Sequence, residues 1–255
     1  MNDFEIDYRN LISNIWEFGT KTKNRTKVGT KVAFNQGFNI DLRKGFPIIT
    51  GKKIFFDKAY AEFNWMIQGM HTTNYLNKNG ITWWNEYADA NGDLGHTYGH
   101  QIRDFGGGLH KDLQGIDQLE LAIHELRYNS RRAVVSFWNP HDMSKTPLPP
   151  CYTSMTFVRI NDSLNMQMVI RSSDTFLGLP YDIVIGALFL IRIAEHLELT
   201  PCFLGLSLAN AHMYLNHKHA YNTYMKSEMF RLPKFHEGIL RRYTHGDYIK
   251  AKMNN

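Results

Sequence analysis

The sequence predicts an α/β or α+β fold built on one central sheet. Three observations carry this. Several stretches place apolar residues at helical spacing, short runs rich in Val, Ile and aromatics lie between them, and two of those runs flank the turn Asn161-Asp162-Ser163. In chain order, Phe4, Tyr8, Leu11, Ile12, Ile15 and Trp16 share a helical face behind Asp3 as candidate cap, and Gly19 ends the pattern. A second helix is expected over about residues 58–68, closed by Gly69. A third is expected over about 116–128, with Ile116, Leu119, Ile123 and Leu126 on one side. Strands are expected at 133–138, 153–160 and 164–170, the last two as a hairpin. A helix over 183–197, a strand over 203–208 and a helix over 216–226 complete the reading.

At 255 residues, with no internal repeat and no linker rich in Pro, Gly or Ser, a single domain over 1–255 is the simplest organisation. The composition, 43% hydrophobic and 21% charged, excludes a disordered or collagen-like chain. A net charge of +5 suits anionic ligands, but without a run of four basic residues it does not argue for nucleic-acid binding. The opening MNDFEIDYRN is too acidic for a secretory signal. The apolar stretch 183–194 is broken by Arg192 and falls short of the roughly 20 residues of a membrane span, so no membrane partner is expected. Two cysteines, Cys151 and Cys202, indicate a reducing compartment and free thiols.

The chemistry points to Pro149-Pro150-Cys151, where a stiffened backbone holds a thiol at the start of a strand, and to Arg171-Ser172-Ser173-Asp174 beyond the hairpin. A cysteine alone reads equally as a small buried hydrophobe. Were Arg25, Arg131, Arg132 and Arg171 to gather around Cys151, they would form a phosphate site that also favours thiolate. His96 with His100, and His212 with His217 and His219, come without a Cys-x-x-Cys or His-Glu-x-x-His pattern, so no metal site is expected. Gly106-Gly107-Gly108 lacks the lysine and strand-to-helix context of a phosphate loop and reads as a surface loop.

Taken in order, the motifs resemble the thymidylate synthase family. They are Asn24-Arg25-Thr26, Gly45-Phe46-Pro47, Glu62 with Trp65 and Gln68-Gly69, Trp84-Asn85-Glu86-Tyr87-Ala88-Asp89 and Gly92-Asp93-Leu94-Gly95 with Tyr98-Gly99. The series continues through Ser130-Arg131-Arg132, Pro150-Cys151, Arg171-Ser172-Ser173-Asp174, Phe176-Leu177-Gly178-Leu179-Pro180 and His212-Met213-Tyr214. The resemblance implies a central mixed sheet flanked by helices, with one sheet face forming a homodimer interface. It also implies one-carbon transfer to C5 of a pyrimidine nucleoside monophosphate, with methylenetetrahydrofolate as cofactor. By that similarity Cys151 is the nucleophile that adds to C6 of the base, Glu62 organises proton transfer and Tyr98 hydrogen-bonds near the thiol. Arg25, Arg171 and Ser172 would hold the phosphate, joined by Arg131 and Arg132 from the partner subunit, while His212 and Tyr214 would hold the sugar. Trp84, Asp174, Leu177, Gly178 and Tyr181 would meet the folate, with Lys52 near its glutamate tail.

The departures from the family pattern concern the substrate. Asp182 stands where members acting on deoxyuridylate place Asn; an ionised Asp only accepts hydrogen bonds, which suits the N4 amino group of cytosine and not O4 of uracil. Phage deoxycytidylate hydroxymethylases resemble this chain there, so a cytoplasmic location is expected, with infected-host cytoplasm as one setting. Tyr152 follows the nucleophile in place of His and fits altered recognition at C4 of the base. Phe55, Tyr87 and Asn210 also differ from the common residues. Lys252-Met253-Asn254-Asn255 does not resemble the family's apolar closing tail, which would let water reach the reacting methylene. The sequence therefore predicts deoxycytidylate hydroxymethylation. Deoxycytidylate methylation is the alternative, with thymidylate synthesis and a nucleic-acid-binding module behind it.

Overall fold

The computed structural model describes residues 2–108 and 114–254. In chain order the elements are α1 (Asp3–Phe18), β1 (Thr20–Thr22), β2 (Thr30–Asp41), α2 (Phe56–Ile67), α3 (Asn74–Lys78), α4 (Tyr98–Arg103) and α5 (Gln118–Arg127). There follow β3 (Val134–Ser136), β4 (Tyr152–Ile160), β5 (Ser163–Asp174), α6 (Leu179–His196), β6 (Thr200–Tyr214), α7 (Lys218–Met225), β7 (Lys234–His236) and β8 (Ile239–Arg241). The expected α/β class is borne out, with a central six-stranded mixed sheet of order β1-β2-β6-β5-β4-β3 flanked by helices and a separate β7-β8 hairpin. Two compact units form. One comprises Met1–Phe56, Val169–Ala187 and Cys202–Asn255, and the other comprises Asp57–Met168 and Leu188–Pro201.

In the first unit, α1 packs its apolar face on β2. Its cap is Asn2 rather than Asp3: the Asn2 side chain accepts from the Glu5 N–H, because Asp3 already lies inside the first turn and pairs with Lys44. Glu5 is fully buried, accepting from the backbone N–H groups of Thr50 and Gly51 at 2.8 and 2.7 Å, and from the Tyr224 hydroxyl at 2.7 Å. This satisfied carboxylate ties α1, the 50–51 segment and α7 together. β2 pairs antiparallel with β6, setting Thr30 opposite Tyr214 and Val32 opposite His212. That pairing needs Gly37, since a Cβ there would lie 2.2 Å from the Leu206 carbonyl oxygen.

In the second unit, β3 pairs antiparallel with β4 and α5 packs against both. The helix expected from Ile116 begins at Gln118 because Asp117 caps it, accepting from the Glu120 N–H. Ile116 stays outside in a bridge to Phe105 and is exposed rather than packed. The hairpin turn falls where expected, with Asn161 in the left-handed region at φ 52°. β5 and β6 run past the expected ends, and the last helix is split into a 3-10 turn, Leu215–His217, and α7.

Candidate active site

Cys151 sits half-buried at the bend between Pro150 and β4. Its backbone N–H donates to the Tyr98 hydroxyl oxygen at 2.8 Å. Tyr98 opens α4 and is itself buried, so the phenol pins the peptide on which the thiol is mounted. Behind it lies an aromatic cluster: Tyr152 meets Tyr98 edge-on at 5.0 Å and Phe137 at 5.6 Å. Tyr152 is only 2% exposed, and its ring supports Tyr98.

Glu62, on α2, is buried with Trp84, whose indole Nε1–H donates to Oε1 at 2.7 Å. Burial pushes this carboxyl up from 4.5 to about 7, partly opposed by the hydrogen bonds of Trp84 and Trp83. A group poised there exchanges protons readily at neutral pH. Trp84 is held by Trp65 at 5.6 Å and edge-on to Tyr98 at 5.9 Å, so the proton-exchanging group and the nucleophile's support belong to one aromatic framework of this unit. Arg131 and Arg132 stand exposed before β3, Arg132 donating its N–H to Ser130 Oγ at 3.3 Å.

The first unit carries the other expected residues. Arg25 is exposed in the loop between β1 and β2, while Arg171 and Ser172 are half-buried at the end of β5. Asp174 Oδ1 accepts from the Phe176 and Leu177 N–H groups at 3.0 and 3.2 Å, and Oδ2 meets no donor among the described residues. Asp182 is half-buried in the first turn of α6, where the helix N-terminus favours an anion; a Cβ at Gly178 would come within 3.9 Å of its Oδ2. Tyr181 precedes it, also half-buried. His212 bonds Asn210 Oδ1 through Nδ1 at 3.0 Å, and burial lowers its pKa.

Lys52, expected near the glutamate tail of the folate, belongs to the first unit. Its ammonium is buried, donating to the Phe176 carbonyl at 2.6 Å and lying 3.9 Å from the centre of that ring. Burial lowers its pKa to about 7, opposed by the Asp174 and Glu5 carboxylates. A group held this way organises the Asp174–Phe176 turn. His217, weighed in the sequence only as a metal ligand, is buried with Nε2–H on the Lys252 carbonyl at 2.8 Å. Together with Asn254, which bonds Asn216 and accepts through its carbonyl from the Tyr214 hydroxyl at 3.4 Å, this seats a polar 252–254 segment against β6. No periodic signal marks such a contact.

Cys202 is buried on β6 and serves packing. Among the described residues no helix is long and apolar enough to cross a membrane. A comparison with protein families matches Thymidylate synthase over residues 6–251.

Proposed function

Because the chain belongs to the thymidylate synthase family, whose members carry out folate-dependent one-carbon transfer to C5 of a pyrimidine nucleotide as homodimers, we propose that it is a deoxycytidylate hydroxymethylase. The observation that carries the choice of base is Asp182, a half-buried carboxylate at the start of α6. It only accepts hydrogen bonds, matching the N4 amino group of cytosine and, once the base is protonated there, N3. Opposite O4 of uracil it would set acceptor against acceptor, a mismatch worth orders of magnitude in selectivity at a desolvated site.

In this reading residues 1–255 act as one catalytic domain and Cys151 Sγ, as thiolate, bonds to C6. The C5–C6 double bond gives up its electron pair to C5, which then attacks carbon. Methylenetetrahydrofolate supplies the one-carbon unit at the oxidation level of formaldehyde. Asp174 fits that cofactor, because its open Oδ2 can accept from the adjacent N–H donors of a pterin-like ring. Trp84, Leu177, Gly178 and Tyr181 would border it. Once C5 holds the methylene carbon, loss of the C5 proton and cleavage of the bond from that carbon to the folate nitrogen would release tetrahydrofolate and leave an exocyclic methylene; addition of water there, with expulsion of Cys151 Sγ, would give the hydroxymethyl product. Glu62, near neutrality in pKa, moves the proton.

Arg25, Arg171 and Ser172 are assigned to the phosphate, with Arg131 and Arg132 reaching the site of the partner subunit across a sheet-face interface. His212 and Tyr214 are assigned to the sugar. The test is steady-state turnover of deoxycytidylate against deoxyuridylate by the protein and by Asp182→Asn. The protein should prefer deoxycytidylate, and the substitution should move the ratio of kcat/KM toward deoxyuridylate by roughly 100-fold or more. A protein that turns over deoxyuridylate faster refutes the assignment.

A further inference from the structure

A second cluster gathers residues of α4, of the segment that leads into it and of the Pro140–Asp142 turn. His96 and His100 are both buried, their rings 4.0 Å apart between centres, and Asp142, only 1% exposed, approaches His96 Nδ1 with Oδ2 at 3.1 Å. One ligand atom from each of the three residues falls within 4.8 Å of the others. The polar accounting around them is incomplete. Apart from His96 Nδ1, whose one polar neighbour is Asp142, buried side-chain atoms without a hydrogen-bond partner among the described residues include Thr97 Oγ1, His100 Nε2 and Gln101 Oε1, all within one five-residue stretch. Buried polar groups are otherwise paired with great regularity, so this concentration calls for an occupant.

The surroundings favour a cation. His100 Nδ1 lies 3.9 Å from Asp104 Oδ2, beyond hydrogen-bond distance but close enough for the carboxylate to favour a cation here, and Nε2 is the buried nitrogen without a partner among the described residues. Asp142 is fixed from the side: its Oδ2 accepts from Gln101 Nε2 and Asn139 Nδ2, each at 2.9 Å, while Oδ1 meets only Lys145 Nζ at 3.2 Å. Oδ1 therefore keeps a lone pair. Two imidazole nitrogens and one carboxylate oxygen are borderline donors suited to a first-row divalent ion, with Gln101 Oε1 at hand for a fourth position.

We infer that His96, His100 and Asp142 form a structural site for a divalent cation of the Zn2+ type. Such an ion ties α4, which carries Tyr98, to the turn at Pro140–Asp142. The third ligand stands far along the chain from the histidine pair, which is why no compact motif announces the site.

The test uses the full chain stripped with chelator and then titrated with ZnCl2 alone by equilibrium dialysis. One equivalent should bind to the unmodified protein, to Cys151→Ser and, with at least about tenfold weaker affinity, to His100→Gln. Zn2+ should also raise the Tm of the unmodified protein and of Cys151→Ser more than that of His100→Gln. Should His100→Gln fold poorly, Co2+ added to the unmodified protein decides the matter through the visible bands of a four-coordinate ion with nitrogen and oxygen ligands. Absence of binding and of those bands means that water satisfies the orphaned nitrogens, and overturns the inference. Binding that Cys151→Ser removes, or that His100→Gln leaves unchanged, places the ion elsewhere and overturns it equally.

Discussion

Replacing Trp84 by Phe keeps an aromatic ring between Trp65 and Tyr98 but deletes the indole N–H that donates to Glu62 at 2.7 Å. A hydrogen bond to a charged group contributes about 1.5–3 kcal/mol, and only the ionised carboxylate gains the full amount here. At 1.36 kcal/mol per pKa unit, losing it raises the Glu62 pKa by roughly 1–2 units. The starting value is about 7, and the Trp83 contribution remains. The pH profile of kcat/KM for release of tritium from C5 of deoxycytidylate should therefore show a limb near neutrality that moves alkaline by about 1–2 units in Trp84→Phe. Glu62→Gln should remove that limb. A limb that stays in place in Trp84→Phe, or survives in Glu62→Gln, would show that another group controls proton transfer.

Other substitutions probe the supports of the site and the buried charges. Tyr98→Phe strips the acceptor from the Cys151 N–H and should cost roughly 1–3 kcal/mol in stability by denaturant titration, with a fall in kcat, because a partly buried donor loses its partner. Glu5→Gln places an amide where backbone and hydroxyl donors converge, and should lower stability by a few kcal/mol without altering substrate preference; an unchanged Tm would contradict the structural role given to Glu5. Lys52 has a depressed pKa, so the unfolded chain holds its proton more tightly. Its contribution makes stability rise as pH climbs from about 7 toward 10.5, and Lys52→Met should flatten that rise. Chemical denaturation at several pH values checks it, and an unaltered slope argues against a buried ammonium.

The elements with strong period were legible in the sequence. α1, α5 and α6 show apolar faces at helical spacing, and the 161–163 turn separates two alternating runs. β2 was not legible, because TKVAFNQGFNID exposes Phe34 and interrupts its apolar residues with Asn, Gln and Gly; pairing with β6 rather than local preference makes it a strand. α4 is too short to show a period. At the site, residue types at Cys151, Glu62, Tyr98 and Asp182 were readable, yet their partners were not. The contacts of Tyr98 with Cys151 and of Trp84 with Glu62 join segments far apart in sequence, as does the approach of Asp142 to His96. The burial of Tyr152 and the seat of Lys52 on a carbonyl were not legible either, since hydropathy alone does not say which way a long amphipathic side chain points.

The most direct measurement of the central claim is the mass of the product formed from deoxycytidylate and methylenetetrahydrofolate, with absorbance followed for dihydrofolate. Deoxycytidylate gaining one CH2O unit, without accumulation of dihydrofolate, is the predicted result. A product gaining only CH2 with one dihydrofolate per turnover, or turnover confined to deoxyuridylate, would contradict it.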